Sequence, residues 1–172
     1  MRRGEVAGLK WSDLDPAARR LSISRTVQNV GGRPTEFDVK TRTSRRCIDL
    51  DPATVAMLVR WQRRLADDGL PLACDDWMFC NTKGRSLNPE SISQLFGRTV
   101  ARSKLPRIRY HDLRHTHASL LVAAGVPIKV VTERLGHAHP GFTMNTYQHV
   151  LPGMGATAAA QFADLLSPGD GR

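Results

Sequence analysis

Two short stretches hold all six histidines of this chain. HDLRHTHASL, residues 111–120, contains His111, Arg114, His115 and His117; GHAHPGFTMNTYQHV, residues 136–150, adds His137, His139 and His149 around Tyr147. Three chemistries could use such a cluster: a metal site, a nucleic-acid surface, or a phosphoryl-transfer centre. His111 and His115 stand four apart, the spacing with which two imidazoles on one helix share a zinc ion, and HDLRH imitates the H-E-x-x-H pattern. Two features oppose a metal. Asp112 is one methylene shorter than the glutamate that pattern uses as its base, and Arg114 would hold a permanent cation beside a dication.

His111 with Arg114 makes a better pair. Three residues apart in the first turn of a helix, both side chains leave on one face, near free backbone N–H groups and the positive end of the helix dipole. A phosphate suits this arrangement, because arginine can bond two of its oxygens and histidine exchanges a proton near neutral pH. The alternative is a solvated helix start with a capping histidine. Tyr147 adds a possible nucleophile. Its hydroxyl, with an ordinary pKa near 10, needs cationic or basic neighbours before it attacks anything at pH 7, and His137 and His149 are near it in sequence.

These residues require elements to hold them. At 172 residues the chain is long enough for one domain with a real core. No apolar run approaches the length of a membrane span, and MRRGEV is not a signal peptide. Cys47, Cys74 and Cys80 make an odd count without C-x-x-C spacing, which fits a reducing compartment such as a cytoplasm. Twenty-five basic against sixteen acidic residues leave a net charge of +9, so a polyanionic partner is favoured, nucleic acid foremost.

The pattern reads as α+β and mostly α. A short helix runs over RRGEVAGLKW to about Gly8, followed by WSDLDPAARR as a loop. RLSISRTV, TEFDVK and RRCIDL, separated by GGRP and TRTS, read as a three-stranded antiparallel meander. Asp51-Pro52 and Asn88-Pro89 each open a helix. Their apolar faces are Val55, Leu58, Val59 and Leu65 in the first, and Ile92, Leu95, Phe96 and Val100 in the second. A third helix starts near His111, carries Leu113, Leu120 and Leu121, and stops at Gly125. Pro127 opens a fourth that ends before Gly136. Pro140 opens a fifth with Tyr147, and GATAAAQFADLL forms a last one with Phe162, Leu165 and Leu166 on one face. SPGDGR, residues 167–172, reads as a disordered tail.

HDLRHTHAS, then LGHAH, then TYQHV closely resemble the signature segments of the tyrosine recombinase (phage integrase) family. RRGEVAGLKWSDLD resembles that family's first arginine segment, and VKTRTSRRCIDL its lysine-bearing hairpin. The resemblance runs from Arg2 to about Met154. It implies a catalytic domain over residues 1–166, in which a tyrosine hydroxyl attacks a DNA phosphodiester to give a 3′-phosphotyrosine and a free 5′-hydroxyl, as in phage or mobile-element integration and excision. The roles it implies are Tyr147 as nucleophile, Arg2 and Arg114 as phosphate clamps and Lys40 as proton donor to the leaving oxygen. It further implies His111 as a proton-moving group and His137 as a bond to a non-bridging oxygen, with Glu5 and His115 supporting from behind. His117, His139 and His149 are left to packing, supporting bonds or DNA-backbone contacts. No metal, nucleotide or other cofactor is implied. The partners implied are double-stranded DNA and further copies of the chain, in a tetrameric synapse where the last helix docks on a neighbouring subunit.

Family members usually carry an N-terminal DNA-clamping domain and further helices before the first arginine. With that arginine at residue 2, the expectation is a partial catalytic domain, weakly active or inactive alone. Two other readings share some of these features. ASLLVAAGVPIKVVTERLGH also reads as a helix-turn-helix of a DNA-binding protein without catalysis, which leaves Lys40 and Tyr147 unexplained. A type IB topoisomerase-like enzyme would use the same arginine, lysine, histidine and tyrosine chemistry without choosing a site.

Overall fold

The computed structural model describes residues 1–39, 45–70, 72–136 and 162. The chain opens with the short helix α1 (Arg3–Ala7), closed by an internal cap in which the Glu5 carboxylate accepts the Arg2 N–H at 2.8 Å. A 3-10 turn (Trp11–Asp13) and a two-residue strand β1 (Leu14–Asp15) follow, where the sequence suggests only a loop. Then come β2 (Arg20–Ile23), β3 (Arg25–Val30), β4 (Arg33–Asp38) and β5 (Arg46–Asp49).

The fold class read from the sequence holds: helices dominate, and one antiparallel sheet of three strands lies near the N-terminus. The membership of that sheet differs from the expected meander. Its order is β1-β2-β5, with Leu21 opposite Ile48 and Ile23 opposite Arg46, while β3 and β4 form a separate hairpin. RLSISRTV is therefore two strands, broken at Ser24. Two features favour the split. Gly31 and Gly32 both take positive φ (57° and 83°), the geometry of a tight hairpin turn. Arg25 ties β3 away from β2 by ion pairs to Asp13 at 2.6 Å and to Glu36 at 3.3 Å.

The helices start where local rules place them. Asp51 accepts the Thr54 N–H at 3.0 Å to begin α2 (Pro52–Asp67), and Asn88 accepts that of Glu90 at 3.0 Å to begin α3 (Pro89–Arg102); each has proline in its first turn. α4 (Tyr110–Ala123) and α5 (Ile128–Leu135) form a pair joined through Gly125, at φ 77°. One core cluster, Leu9, Trp11, Leu21, Leu65 and Met78, joins the first turn and sheet to α2. A second, Ala118, Val122, Val131 and Leu135, lies between α4 and α5.

Three residues expected in the core are at the surface instead: Leu95, Leu113 and Leu120 are 62%, 42% and 65% exposed. In α4 the buried stripe runs through Arg114, Ala118 and Val122 at four-residue spacing, and Leu113 and Leu120 stand off that stripe. The expected fifth helix, with Tyr147, lies outside the described residues. So does the last helix, except Phe162, which is exposed.

α1 sits close against β3 because glycine lets it. A Cβ on Gly4 would lie 2.5 Å from the Thr26 hydroxyl oxygen and 2.6 Å from the Val27 carbonyl oxygen, and one on Gly8 would lie 3.2 Å from the Arg25 carbonyl. This contact fixes the base from which Arg2 and Glu5 project.

Candidate active site

Glu5 is 2% exposed, and its carboxylate is shared by two arginines. Oε1 accepts Arg2 Nη1 at 3.0 Å and Arg46 Nη1 at 3.1 Å; Oε2 accepts the Arg2 backbone N–H at 2.8 Å and Arg46 Nη2 at 2.8 Å. Burial alone would raise the Glu5 pKa. The bonds and charge of Arg46, with help from Arg2, outweigh that and hold it at about 2, against an ordinary 4.5.

The same two arginines, and Arg114, meet at the end of α5. Arg46 Nε donates to the Arg134 carbonyl at 3.0 Å, Arg114 Nη2 donates to the Leu135 carbonyl, and Arg2 Nη2 donates to the Gly136 carbonyl at 3.2 Å. Three guanidinium groups from three segments thus take three consecutive carbonyls that the helix cannot satisfy itself. They do so at the negative end of its dipole. Gly136 ends α5 in the left-handed conformation, φ 67°, ψ 45°. A Cβ there would come within 2.6 Å of Arg46 Nη1.

Arg114 is 5% exposed, while Arg2 has a side chain 45% exposed. Arg2 lines an open cleft of about 700 Å³ together with Arg3, Phe96, Arg107, Arg109, Tyr110 and His111. The cleft is therefore basic at its rim, with two aromatic rings in edge-to-face contact at 5.8 Å. His111 stands beside His115, their rings edge to face at 4.9 Å. Its pKa is lowered, first by burial and then by the neighbouring charges of His115 and Arg114. A neutral imidazole, able to accept a proton, is the form this favours at pH 7.

The start of α4 carries its own restraint. Asp112 is directed at its own helix start, accepting the Arg109 N–H at 2.8 Å and the Arg109 guanidinium at 2.9 Å. It acts as a cap on Arg109, and Asp112 does not play the base of H-E-x-x-H. Among the described residues no group of three His, Cys, Asp or Glu is arranged to hold a metal ion. His117 accepts Arg134 Nε at 3.2 Å, and Arg134 also donates to the Asp49 carbonyl at 3.0 Å, tying α4, α5 and β5 together.

The structure thus brings together Arg2, Glu5 and Arg114 at one helix end, and places His111 in the cleft that Arg2 lines, with His115 behind it. Lys40, His137 and Tyr147 lie outside the described residues; Lys40 follows β4 by two residues, and His137 follows Gly136 directly. Arg46 was not singled out from the sequence. The signal available was alternation: β5 buries Ile48 and exposes Cys47 and Asp49, which puts Arg46 on the inward face, where an arginine needs an anion.

The chain matches the Phage integrase family over residues 1–153. A tyrosine recombinase XerC-like protein of Caldanaerobacter subterraneus is 28% identical over 96% of this chain and 46% of its own length. Transposase A from transposon Tn554 of Staphylococcus aureus is 39% identical over 87% of this chain and 40% of its own. The structure of the Tn1549 transposon integrase in complex with transposon right end DNA superposes with a TM-score of 0.78, at 22% identity, over 95% of this chain and 55% of that one. This chain therefore spans under half the length of the curated relatives it matches. With its family match covering residues 1–153, and with Arg2, Glu5 and Arg114 meeting at one helix end beside the cleft that holds His111, the chain belongs to the phage integrase family.

Proposed function

We propose that this chain is the catalytic part of a tyrosine-type site-specific recombinase that cuts and rejoins double-stranded DNA. The observation that carries the reading is the pair Arg2 and Arg114, seated on the adjacent carbonyls of Gly136 and Leu135, with His111 in the cleft that Arg2 lines. Two fixed guanidinium groups can hold the non-bridging oxygens of a phosphodiester while its charge grows in the transition state. The Tyr147 hydroxyl attacks phosphorus and the bond to the 5′-oxygen breaks. His111 accepts the phenolic proton and Lys40 delivers one to the departing 5′-oxygen, while His137 bonds a non-bridging oxygen. The products are a 3′-phosphotyrosine and a 5′-hydroxyl. No high-energy bond is lost, so a second 5′-hydroxyl can reverse the step and reseal the strand. The partners that follow are duplex DNA and further copies of the chain, with the segment around Phe162, Leu165 and Leu166 docking on a neighbour.

The test is covalent capture. Incubated with nicked duplexes from a random-sequence pool, the protein should retain a subset of DNA through denaturation, and Tyr147→Phe should retain none. An adduct formed by Tyr147→Phe would remove the assignment.

A further inference from the structure

We propose that Arg46 is a positioning residue for the phosphate clamp, acting on Arg2 through Glu5; the inference rests on the recombinase reading of the site. Each nitrogen of the Arg46 guanidinium is already engaged: Nη1 and Nη2 form a parallel fork onto Glu5, and Nε holds the Arg134 carbonyl. Its side chain is 7% exposed, against 45% for Arg2. Arg46 is thus fixed behind the site, and Arg2 is the one of the pair that lines the cleft. What Arg46 contributes is direction. A carboxylate with one arginine partner can turn with it, whereas a fork from the far side fixes the plane of Glu5, and with it the Arg2 Nη1 that Glu5 accepts.

The same guanidinium anchors the helix end that receives the other two arginines. Arg134, Leu135 and Gly136 present successive carbonyls to Arg46, Arg114 and Arg2, so a shift of α5 relative to β5 would displace both clamps together. Gly136 is required by the same packing, because its missing Cβ is the space Arg46 occupies. A lysine at 46 would keep a charge against Glu5 but could not hold both its oxygens and the Arg134 carbonyl at once.

The experiment compares two substrates in single-turnover covalent capture by the purified protein. Both are nicked duplexes of a sequence first selected with the wild-type protein from a random pool. One has an ordinary phosphodiester at the cleavage position, the other a methylphosphonate, which lacks one charged oxygen and so depends less on correctly placed guanidinium groups. Arg2→Ala sets the benchmark for losing the clamp. Arg46→Gln should slow capture on the phosphodiester roughly a hundredfold, the scale of losing one transition-state donor, and should lose much less on the methylphosphonate, as Arg2→Ala does. Arg46→Lys should lie between and, if the glutamine variant does not fold, carries the comparison in its place. An equal loss on both substrates would mean a general folding defect and would overturn the inference, as would an unchanged rate. If the wild-type protein captures no DNA at all, the recombinase reading fails first, which is a different result.

Discussion

At the scale of single residues, the buried carboxylate of Glu5 has the largest consequence for stability. Its pKa falls from 4.5 in the unfolded chain to about 2 in the folded one, because the arginine bonds outweigh burial. A depressed carboxylate stabilises the fold above the unfolded value and loses that contribution as pH falls from about 4.5 through about 2; the shift corresponds to about 3 kcal/mol. Glu5→Gln should therefore destabilise the protein at pH 7 by about 3 kcal/mol, since it leaves the nearly buried Arg46 without its counter-charge. The difference should narrow on acidification, which denaturant unfolding of the two proteins between pH 7 and pH 3 measures. His111 is also shifted downward, and there the consequence is for rate. Burial, His115 and Arg114 lower its pKa below 6.5, so the acid limb of covalent capture should lie below that value. Removing one of those charges, in His115→Gln, should move the limb upward; a limb that stays in place would separate His111 from the rate. Of the residues in this part of the site, His111 and Arg114 were legible from their spacing in HDLRH, and Arg2 and Glu5 from the resemblance of RRGEV to the family's first arginine segment. Arg46 was not, because SRRCID offers two adjacent arginines, and only the inward alternation of its strand tells them apart.

At the scale of elements, two glycines of different surroundings give opposite expectations. Gly4 lets α1 rest on β3, and its replacement by alanine puts a methyl group against the Val27 backbone, which cannot move aside. Gly4→Ala should destabilise by about 1–3 kcal/mol and should also slow capture, because α1 carries Arg2 and Glu5. Gly97, within α3, has nothing within 4 Å of where a Cβ would stand. Gly97→Ala should stabilise by about 0.5–1 kcal/mol through helix propensity. Thermal unfolding of the two variants beside the wild type checks both signs. The elements themselves were readable where their determinants are local. Asp51-Pro52 and Asn88-Pro89 cap their helices as their sequence suggests, and Gly125 and Gly136 end theirs with positive φ. Strand pairing was not readable in the same way. Which strand lies beside β2 depends on residues far apart in sequence, Leu21 with Ile48 and Arg25 with Asp13, and no local spacing encodes that choice. Leu113 and Leu120 misled for a related reason: their seven-residue spacing suits a core stripe, but α5 packs against the four-residue series Arg114, Ala118 and Val122.

At the scale of the whole molecule, charge and connectivity matter most. The net charge of +9 and the arginines around the cleft predict DNA binding that weakens with salt. A plot of log affinity against log salt should fall with a slope of roughly −0.9 for each phosphate neutralised, and a flat titration would remove DNA as the partner. Among the described residues no helix is long and apolar enough to cross a membrane. The three carbonyls at the end of α5 have a consequence in time as well as in space. The carbonyl that seats Arg2, on Gly136, lies 134 positions further along the chain. Until the end of α5 has been made and docked, Arg2 lacks that seat, so Arg2, Arg46 and Arg114 meet only after every residue between Arg2 and Gly136 has been synthesised.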